Sequence, residues 1–358
     1  MKPAVARSDR NRRVVEFPHV QFKLLSLAKP TSRQKAVVDG LGKEKLIEMY
    51  RKMLEIRFFE QRAEQMYQQR KIGGFLHVYM GEEAVATGIL AAIDKDDYVV
   101  TSYRDHGVAL ALGIPPGALM AELFGKVTGV CGGKGGSMHF YSKEKNLLGG
   151  HGIVGGQIPI GLGAAFRAKY MGTKQVSVIF FGDGAINQGT FHEAANMAAL
   201  WNLPAIFVVE NNLYGMGTSV SRSTAVSNMA VRAASYDMEG LQVDGMNLLE
   251  TYGVMKEVVD KRRRDPCPIL IEAKTYRYRG HSISDPGNYR SKEEIANYRT
   301  ADPIAQVKKF LNDLGWMDDA AAKAMDKEVR QEILDAVEFA EESPDPDPAA
   351  RDRHVFVP

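Results

Sequence analysis

The chain has 358 residues, of which 45% are hydrophobic and 25% are charged, and its formal net charge is +2. This length and apolar content suffice for one large core, or for a core with a smaller appendage. The small net charge excludes the broad basic surface of a nucleic-acid-binding protein, and no apolar stretch reaches the roughly eighteen residues that suggest a membrane helix. The two cysteines, Cys131 and Cys267, form neither a disulfide framework nor a zinc-binding pattern, which indicates a reducing compartment.

Residues 1–40 are predicted to form an extended arm with a basic start. Four arginines fall between Arg7 and Arg13, as they could in a mitochondrial presequence, but Asp9 and Glu16 interrupt them and no amphipathic face emerges. We therefore expect a flexible arm on a bacterial cytoplasmic protein, and a mitochondrial matrix protein is the alternative.

Helices and a strand are predicted after the arm. Apolar residues recur at helical spacing from Lys43 to Arg70, and Gly73-Gly74 then makes a turn. A second helix is predicted over residues 81–93 and a strand over residues 98–102. The glycine-rich segment 129–156 is predicted to be irregular, because its glycines suit positive φ angles or close backbone approach.

Neither of two familiar nucleotide-binding motifs fits the glycines of this region. Gly132-Gly133-Lys134-Gly135 lacks the residue spacing of a P-loop and the hydroxyl residue after its lysine. Gly161-Leu162-Gly163 lies inside a helical pattern rather than at a strand-to-helix turn, so it is a poor dinucleotide-binding fingerprint.

A predicted β-α-β unit carries polar residues at the end of each strand. The apolar run 176–181 ends in Gly182-Asp183-Gly184, residues 190–200 have helical spacing, and the apolar run 205–209 ends in Glu210-Asn211-Asn212. The crossover between two parallel strands is right-handed, so both strand ends are expected at the same rim of the sheet, where open α/β folds bind ligands.

The residues at this rim suit a magnesium-bound diphosphate. Asp183 supplies a carboxylate, Asn212 an amide oxygen, and the kinked chain after Asn212 can aim the carbonyl of Tyr214 at the same point. Such an all-oxygen set is what Mg²⁺ prefers, and Gly184 leaves room for phosphate to approach the backbone. Either motif alone is commonly a simple turn or loop; together, each after a strand, they favour the metal site.

The remaining segments complete a predicted α/β fold. Strands are expected over residues 238–243 and 268–273, with a helix over residues 248–263 between them. We predict an α/β domain over residues 41–300, built on a mostly parallel sheet with helices on both faces. A C-terminal helical segment and polar tail are predicted over residues 301–358.

Several motifs together resemble one family. The stretches that carry the resemblance are Gly133–His139, Gly182–Asn187, Glu210–Thr218 and Thr275–Pro286. The Gly-Asp-Gly and Asn-Asn pair is similar to the thiamine diphosphate (ThDP) binding motif. The stretches Gly133–His139, Glu210–Thr218 and Thr275–Pro286 together resemble the α subunits of pyruvate dehydrogenase, within the ThDP-dependent 2-oxoacid dehydrogenases. The similarity runs from about Leu46 to Pro303.

The resemblance implies ThDP and Mg²⁺ as cofactors and a role for each of several residues. By this resemblance, Asp183, Asn212 and the Tyr214 carbonyl hold Mg²⁺; Gly184 and Ala185 lie at the diphosphate; Tyr103, Arg104 and Arg277 contact phosphate; Gly152 and Val154 grip the aminopyrimidine ring; and His281 and His77 are catalytic. Without the resemblance, Arg104 could be a surface cation, Val154 a core residue and either histidine a structural loop residue. His106, His139 and His151 are interpreted mainly as structural, with His139 also a candidate for lining the pocket.

The resemblance also implies an activity and partners. The activity is oxidative decarboxylation of pyruvate with reductive acetylation of a lipoyl group. Because a second complete sheet domain does not fit in the chain, a β subunit is expected to supply the glutamate that protonates the aminopyrimidine, in an α2β2 tetramer docked on a lipoyl-bearing dihydrolipoamide acetyltransferase core. Asn187-Gln188-Gly189 and Gly217-Thr218 look more like the pyruvate pattern. A branched-chain or acetoin dehydrogenase α subunit and a non-catalytic assembly subunit stay open as alternatives.

Overall fold

A six-stranded parallel sheet lies at the centre of the chain, in a computed structural model that describes residues 32–353 and 355. The strands in the described residues are β1 (Tyr98–Ser102), β2 (Leu147–His151), β3 (Ser177–Gly182), β4 (Ala205–Asn211), β5 (Tyr214–Gly215), β6 (Thr218–Ser219), β7 (Glu239–Asp244) and β8 (Ile269–Lys274). Strands β5 and β6 form a small antiparallel hairpin. The other six follow the order β2-β1-β3-β4-β8-β7, with every neighbouring pair parallel.

Helices surround this sheet. The α-helices are α1 (Ser32–Gln68), α2 (Glu83–Ala91), α3 (His106–Ala111), α4 (Pro116–Leu123), α5 (Gln157–Tyr170), α6 (Gly189–Leu200), α7 (Val220–Ser223), α8 (Leu248–Arg264), α9 (Lys292–Arg299), α10 (Pro303–Asp313) and α11 (Asp319–Glu342). Short 3₁₀ helices cover Gly136–Met138, Ala185–Asn187, Met229–Tyr236 and Pro348–Asp352. The predicted α/β fold is thus confirmed.

The alternation of side chains along the central strands divides the core between the two faces of the sheet. In β3, Val178 and Phe180 belong to the cluster that also contains buried residues of α1, α2 and α8. Ile179 and Phe181 belong to the cluster formed with α5 and α6. Because both faces are covered, these strands read as unbroken apolar runs, and the sequence pattern was sufficient to predict them.

Helix α1 begins earlier than the sequence suggested. Residues 32–40, expected as the end of the extended arm, are helical up to a kink at Gly42, where φ is 76°. The physical reason is packing: Val38 is buried, and Val37 lies against α8 at Gly253. The rest of the predicted arm, residues 1–31, lies outside the described residues.

The glycine-rich segment is not wholly irregular, because it contains the edge strand β2. Residues 147–151 pair with β1 even though they carry no β-branched side chain. A glycine is required at Gly150, since a Cβ atom there would overlap the carboxylate of Asp105. Strand β2 therefore forms through pairing with its neighbour rather than through intrinsic propensity.

The C-terminal segment is helical, as predicted, and it packs on the main domain. Phe310 and Leu311 of α10 and Val329 and Ile333 of α11 are buried in the same apolar cluster as α1. Within the described residues, none of the helices combines the length and the apolar character needed to cross a membrane.

Candidate active site

The predicted site residues follow strands whose carboxyl ends share one rim of the sheet. The register pairs Ser102 of β1 with His151 of β2, Gly182 of β3 with Glu210 of β4, and Asn211 of β4 with Lys274 of β8. Five chain segments therefore leave the sheet side by side. They are the segments that begin at Tyr103, Gly152, Asp183, Asn212 and Thr275.

Two of the three predicted metal-binding oxygens face a single point. The Arg277 Nη1 atom donates to Asn212 Oδ1 at 3.3 Å and to the carbonyl oxygen of Tyr214 at 3.1 Å. The third, Asp183, is 3% exposed and its Oδ2 atom has no hydrogen-bond partner. A Cβ atom built on Gly215, next to Tyr214, would lie 3.6 Å from that Oδ2 atom. The three groups thus belong to one buried cluster.

A strained turn aims the Tyr214 carbonyl at this cluster. Leu213 has φ 75° and Met216 has φ 52°, a left-handed conformation that non-glycine residues rarely adopt. The Asn211 side chain supports the turn, since its Oδ1 atom accepts the Leu213 N–H at 3.1 Å. Backbone strain of this kind costs on the order of 1–3 kcal/mol per residue and persists where the surroundings enforce it.

Three buried carboxyl groups, those of Asp183, Glu82 and Glu210, accompany two buried arginines in this region. Burial raises the pKa of Asp183 to about 7, while Arg277 acts in the opposite direction. Burial raises the pKa of Glu210 to about 8, and burial also raises the pKa of Glu82. A divalent cation beside Asp183 would stabilise the ionised carboxylate. Among the described residues no three His, Cys, Asp or Glu side chains group as metal ligands, so any ion here would rely on amide and main-chain oxygens as well.

Arg104 and Arg277 are buried and fixed by hydrogen bonds to the backbone. Arg104 donates to the carbonyl oxygens of Val78 at 2.6 Å and His281 at 2.9 Å. Arg277 also donates to the carbonyl oxygen of Met216 at 3.2 Å. Their exposures are 4% and 1%, so Arg104 is not a surface cation. Two fixed guanidinium groups at a sheet rim suit an anionic ligand.

Three predicted site residues, His77, Tyr103 and His281, form one aromatic cluster. The ring centroids of His77 lie 4.6 Å from Tyr103 and 5.0 Å from His281, and the Tyr103 and His281 centroids are 5.6 Å apart. Both histidine Nδ1 atoms are buried without a hydrogen-bond partner. Burial and Arg104 lower the pKa of His77 to about 2 and that of His281 to about 4, so both imidazoles are neutral near pH 7.

The loop after β2 lies beside this rim rather than inside the buried cluster. The Gly152 N–H donates to His139 Nε2 at 3.2 Å. Val154 is 42% exposed, which rules out a role as a core residue. A Cβ atom on Gly155 would lie 2.8 Å from the Thr190 hydroxyl, so the loop packs against the start of α6.

Gly184 and Ala185 connect Asp183 to the 3₁₀ helix Ala185–Asn187. The nearest heavy atom to a Cβ built on Gly184 is the Gly215 Cα at 3.8 Å, so the backbone here is open to a close approach. N–H groups at the start of a helix have no partner within the helix. The turn directly after Asp183 therefore has open space at Gly184 and backbone N–H groups that are available to a ligand.

Sequence reasoning missed the buried acids that support the rim. Glu82 accepts a hydrogen bond from Asn212 Nδ2 at 2.9 Å. Glu60 accepts the Tyr79 N–H at 2.7 Å and contacts His106 Nδ1 at 2.8 Å, which gives His106 the structural role expected for it. The available signal was an acidic pair, Glu82-Glu83, inside an otherwise apolar predicted helix.

Comparison with known proteins identifies the family of this chain. The family model described as "Dehydrogenase E1 component" matches residues 50–349. The chain is 49% identical over 323 residues to "Pyruvate dehydrogenase E1 component subunit alpha" of Rhizobium meliloti (strain 1021), covering 89% of this chain and 93% of that protein. The same-named protein of Zymomonas mobilis is 48% identical over 306 residues, with 85% and 86% covered. That of Rickettsia bellii is 44% identical over 315 residues, with 88% and 97% covered.

Proposed function

We propose that this chain, which belongs to the dehydrogenase E1 component family, is the α subunit of the decarboxylating component of a pyruvate dehydrogenase complex. The proposed activity is oxidative decarboxylation of pyruvate with transfer of the acetyl group to a lipoyl disulfide. The names and high coverage of the relatives support the substrate. The observation that carries the assignment is the convergence of the Asp183, Asn212 and Tyr214 oxygens in one buried cluster.

The cofactor of the family is ThDP, typically with Mg²⁺, and the residues at the rim fit it. The orphaned carboxylate oxygen of Asp183, the Asn212 amide oxygen and the Tyr214 carbonyl would hold the ion. When bound, ThDP supplies the nucleophilic carbon and the electron sink that decarboxylation requires. Gly184 and Ala185 are proposed to lie at the diphosphate. Tyr103, Arg104 and Arg277 are proposed to contact its phosphate groups. The backbone of Gly152 and Val154 is proposed to bind the aminopyrimidine ring.

His77 and His281 are proposed to act on the substrate. Both are neutral, and both have an unpartnered Nδ1 atom near Arg104 and Tyr103. A neutral imidazole can donate a hydrogen bond to a developing oxyanion or move a proton during acyl transfer. The fixed guanidinium of Arg104 would attract the anionic 2-oxoacid to these rings.

The proposed assembly is an α2β2 tetramer on a dihydrolipoamide acetyltransferase core. One parallel-sheet domain is present in the described residues, which supports a separate β chain as the source of the glutamate that protonates the aminopyrimidine. We place the complex in the bacterial cytoplasm. The support is the bacterial origin of the relatives named above and the two unpaired cysteines, Cys131 and Cys267.

Calorimetry on the assembled αβ complex tests the proposal. The wild type is expected to bind ThDP only when Mg²⁺ is present, and Asp183→Ala is expected to abolish this metal-dependent binding, because the variant removes the carboxylate ligand. Asp96→Ala is the control, because Asp96 is an exposed acid before the amino end of β1, at the end of the strand opposite the rim, and this variant is expected to bind ThDP normally. Unchanged ThDP affinity in Asp183→Ala would refute the ligand assignment. Faster decarboxylation of 3-methyl-2-oxobutanoate than of pyruvate would instead identify the chain as the α subunit of a branched-chain 2-oxoacid dehydrogenase.

A further inference from the structure

Glu82 and Arg277 contact opposite ends of the Asn212 side chain at the candidate metal site. Both residues are buried, at 0% and 7% exposure. Asn212 Nδ2 donates to Glu82 Oε1 at 2.9 Å, and on the other side Asn212 Oδ1 accepts from Arg277 Nη1 at 3.3 Å. An ionised carboxylate only accepts and a guanidinium only donates, so both contacts favour the orientation with Oδ1 toward Arg277 and Nδ2 toward Glu82.

The orientation matters because an amide has two ends of nearly equal shape. Mg²⁺ binds oxygen, whereas the amide NH₂ group is a donor and offers no lone pair to the ion. A rotation of 180° would therefore remove one ligand without changing the volume of the side chain. In the observed orientation, Oδ1 faces the same point as the Tyr214 carbonyl.

We propose that Glu82 is a positioning residue for the metal site: its carboxylate holds the Asn212 amide so that Oδ1, and not Nδ2, is presented to Mg²⁺. The inference rests on the proposed function, which supplies the metal. It assigns a role to an acid that is not among the residues proposed to bind the ion or the substrate.

The chain holds Glu82 rigidly enough for this role. Glu82 lies in the turn before α2, where its N–H donates to the Tyr79 carbonyl at 3.1 Å. Gly81 has φ 100°, and a Cβ atom there would overlap the carbonyl oxygen of Tyr276, so this turn presses directly on the chain after β8. The Glu82 backbone is thus fixed from two sides.

The second carboxylate oxygen of Glu82 connects the metal site to Arg104. Glu82 Oε2 has no hydrogen-bond partner but lies 3.6 Å from Arg104 Nε. Arg104 in turn donates to the carbonyl of His281. A single buried carboxylate therefore contacts a ligand of the ion on one side and the arginine beside the catalytic histidines on the other.

The experiment measures the Mg²⁺ dissociation constant of the αβ complex by calorimetry in the presence of saturating ThDP. Loss of a partner that orients a metal ligand typically weakens metal binding by about 10–100-fold. We expect a weakening of that size for Glu82→Leu, which removes the acceptor. Glu82→Gln keeps an acceptor oxygen and is expected to retain Mg²⁺ affinity within about threefold of wild type.

Glu272→Leu is a matched control for the general loss of a buried acid. Glu272 accepts from Asn211 Nδ2 at 2.7 Å, one residue before Asn212, and it also accepts the Met229 N–H at 2.9 Å. We expect this variant to lower the melting temperature while leaving Mg²⁺ affinity within about threefold of wild type, because Asn211 is not a proposed ligand. Wild-type affinity in Glu82→Leu, or an equal loss of affinity in Glu272→Leu, would overturn the positioning role.

A double variant keeps the inference testable if Glu82→Leu does not assemble. Asn212→Asp has two equivalent oxygens and needs no orienting partner, but it places a second carboxylate against Glu82. Mg²⁺ binding should therefore weaken in Asn212→Asp and recover at least tenfold when Glu82→Gln is added. Absence of recovery would overturn the inference. Failure of the wild-type complex to bind Mg²⁺ and ThDP would instead reject the proposed function itself.

Discussion

At the scale of single residues, the lowered pKa values of the two candidate catalytic histidines predict how the stability of the protein depends on pH. Their ordinary pKa is 6.5, and the fold lowers it to about 4 for His281 and about 2 for His77. Between pH 6.5 and 4 the unfolded chain binds protons that the folded chain does not, so stability rises with pH across this window and is lost as pH falls. Besides the rings of His77 and Tyr103, the charged groups that face His281 are Arg104, Arg277 and Asp285, and of these only the acid favours its protonation.

The measurement is the melting temperature of the complex as a function of pH. Because His281→Asn removes one such proton site, it is expected to flatten the fall in melting temperature between pH 6.5 and 4 relative to wild type. His192→Asn, at an exposed histidine outside this cluster, is the control and should leave the profile parallel to wild type. An unchanged slope in His281→Asn would show that its imidazole is not held neutral.

The same scale shows what sequence could and could not predict about the site. Asp183, Asn212 and His281 lie in local motifs with distinctive residue types, so the sequence was enough to propose them as site residues. Glu82 was missed, because its role exists only through contacts with Asn212 and Arg104, which are distant in the chain. Local patterns reveal residues that touch a ligand more readily than residues that position them.

At the scale of elements, the glycines of α5 give a prediction on packing. A Cβ atom on Gly161 would lie 2.5 Å from Ile179 Cγ1 and 2.7 Å from Val100 Cγ1, whereas Gly163 in the same helix has no atom within 4 Å. Gly161→Ala should destabilise the protein, because overpacking costs about 1–3 kcal/mol while the gain in helix propensity is about 1 kcal/mol. Gly163→Ala should stabilise it by up to about 1 kcal/mol.

Urea unfolding of the purified chain, with the two variants compared under identical conditions, tests this pair. The opposite signs are the informative feature, because both substitutions add one methyl group to the same helix. If Gly161→Ala were more stable than wild type, the packing of α5 against β1 and β3 would be less close than the structure shows. Gly161 therefore serves helix-to-sheet packing, in keeping with the rejection of a dinucleotide-binding fingerprint.

The accuracy of the sequence interpretation also varied by element for a physical reason. Strands β3 and β4 are buried on both faces, so their apolar runs are conspicuous. Strand β2 reads Leu-Leu-Gly-Gly-His and is stabilised by pairing with β1, a contact that no local pattern encodes. The helical start of α1 was likewise missed, because the packing of Val37 on Gly253 is a long-range contact.

At the scale of the whole molecule, the acids at the rim already interact with other groups of this chain or are proposed to bind the metal. Glu82 holds Asn212, and Glu210 accepts the hydroxyl of Tyr79. Asp183 is the proposed metal ligand. Because these three described acids are engaged within the chain, a second chain remains the proposed source of the glutamate that protonates the aminopyrimidine.

The isolated chain is therefore expected to lack pyruvate decarboxylation even with saturating ThDP and Mg²⁺. Adding the β chain should restore turnover, because the missing carboxylate then reaches the cofactor from across the subunit interface. Release of CO₂ from labelled pyruvate, with an artificial electron acceptor, measures this directly. A complex assembled with Asp183→Ala should stay inactive, which would show that the restored turnover depends on the site in this chain. Full activity of the chain alone would mean that it carries its own glutamate, and the requirement for a partner would then be wrong.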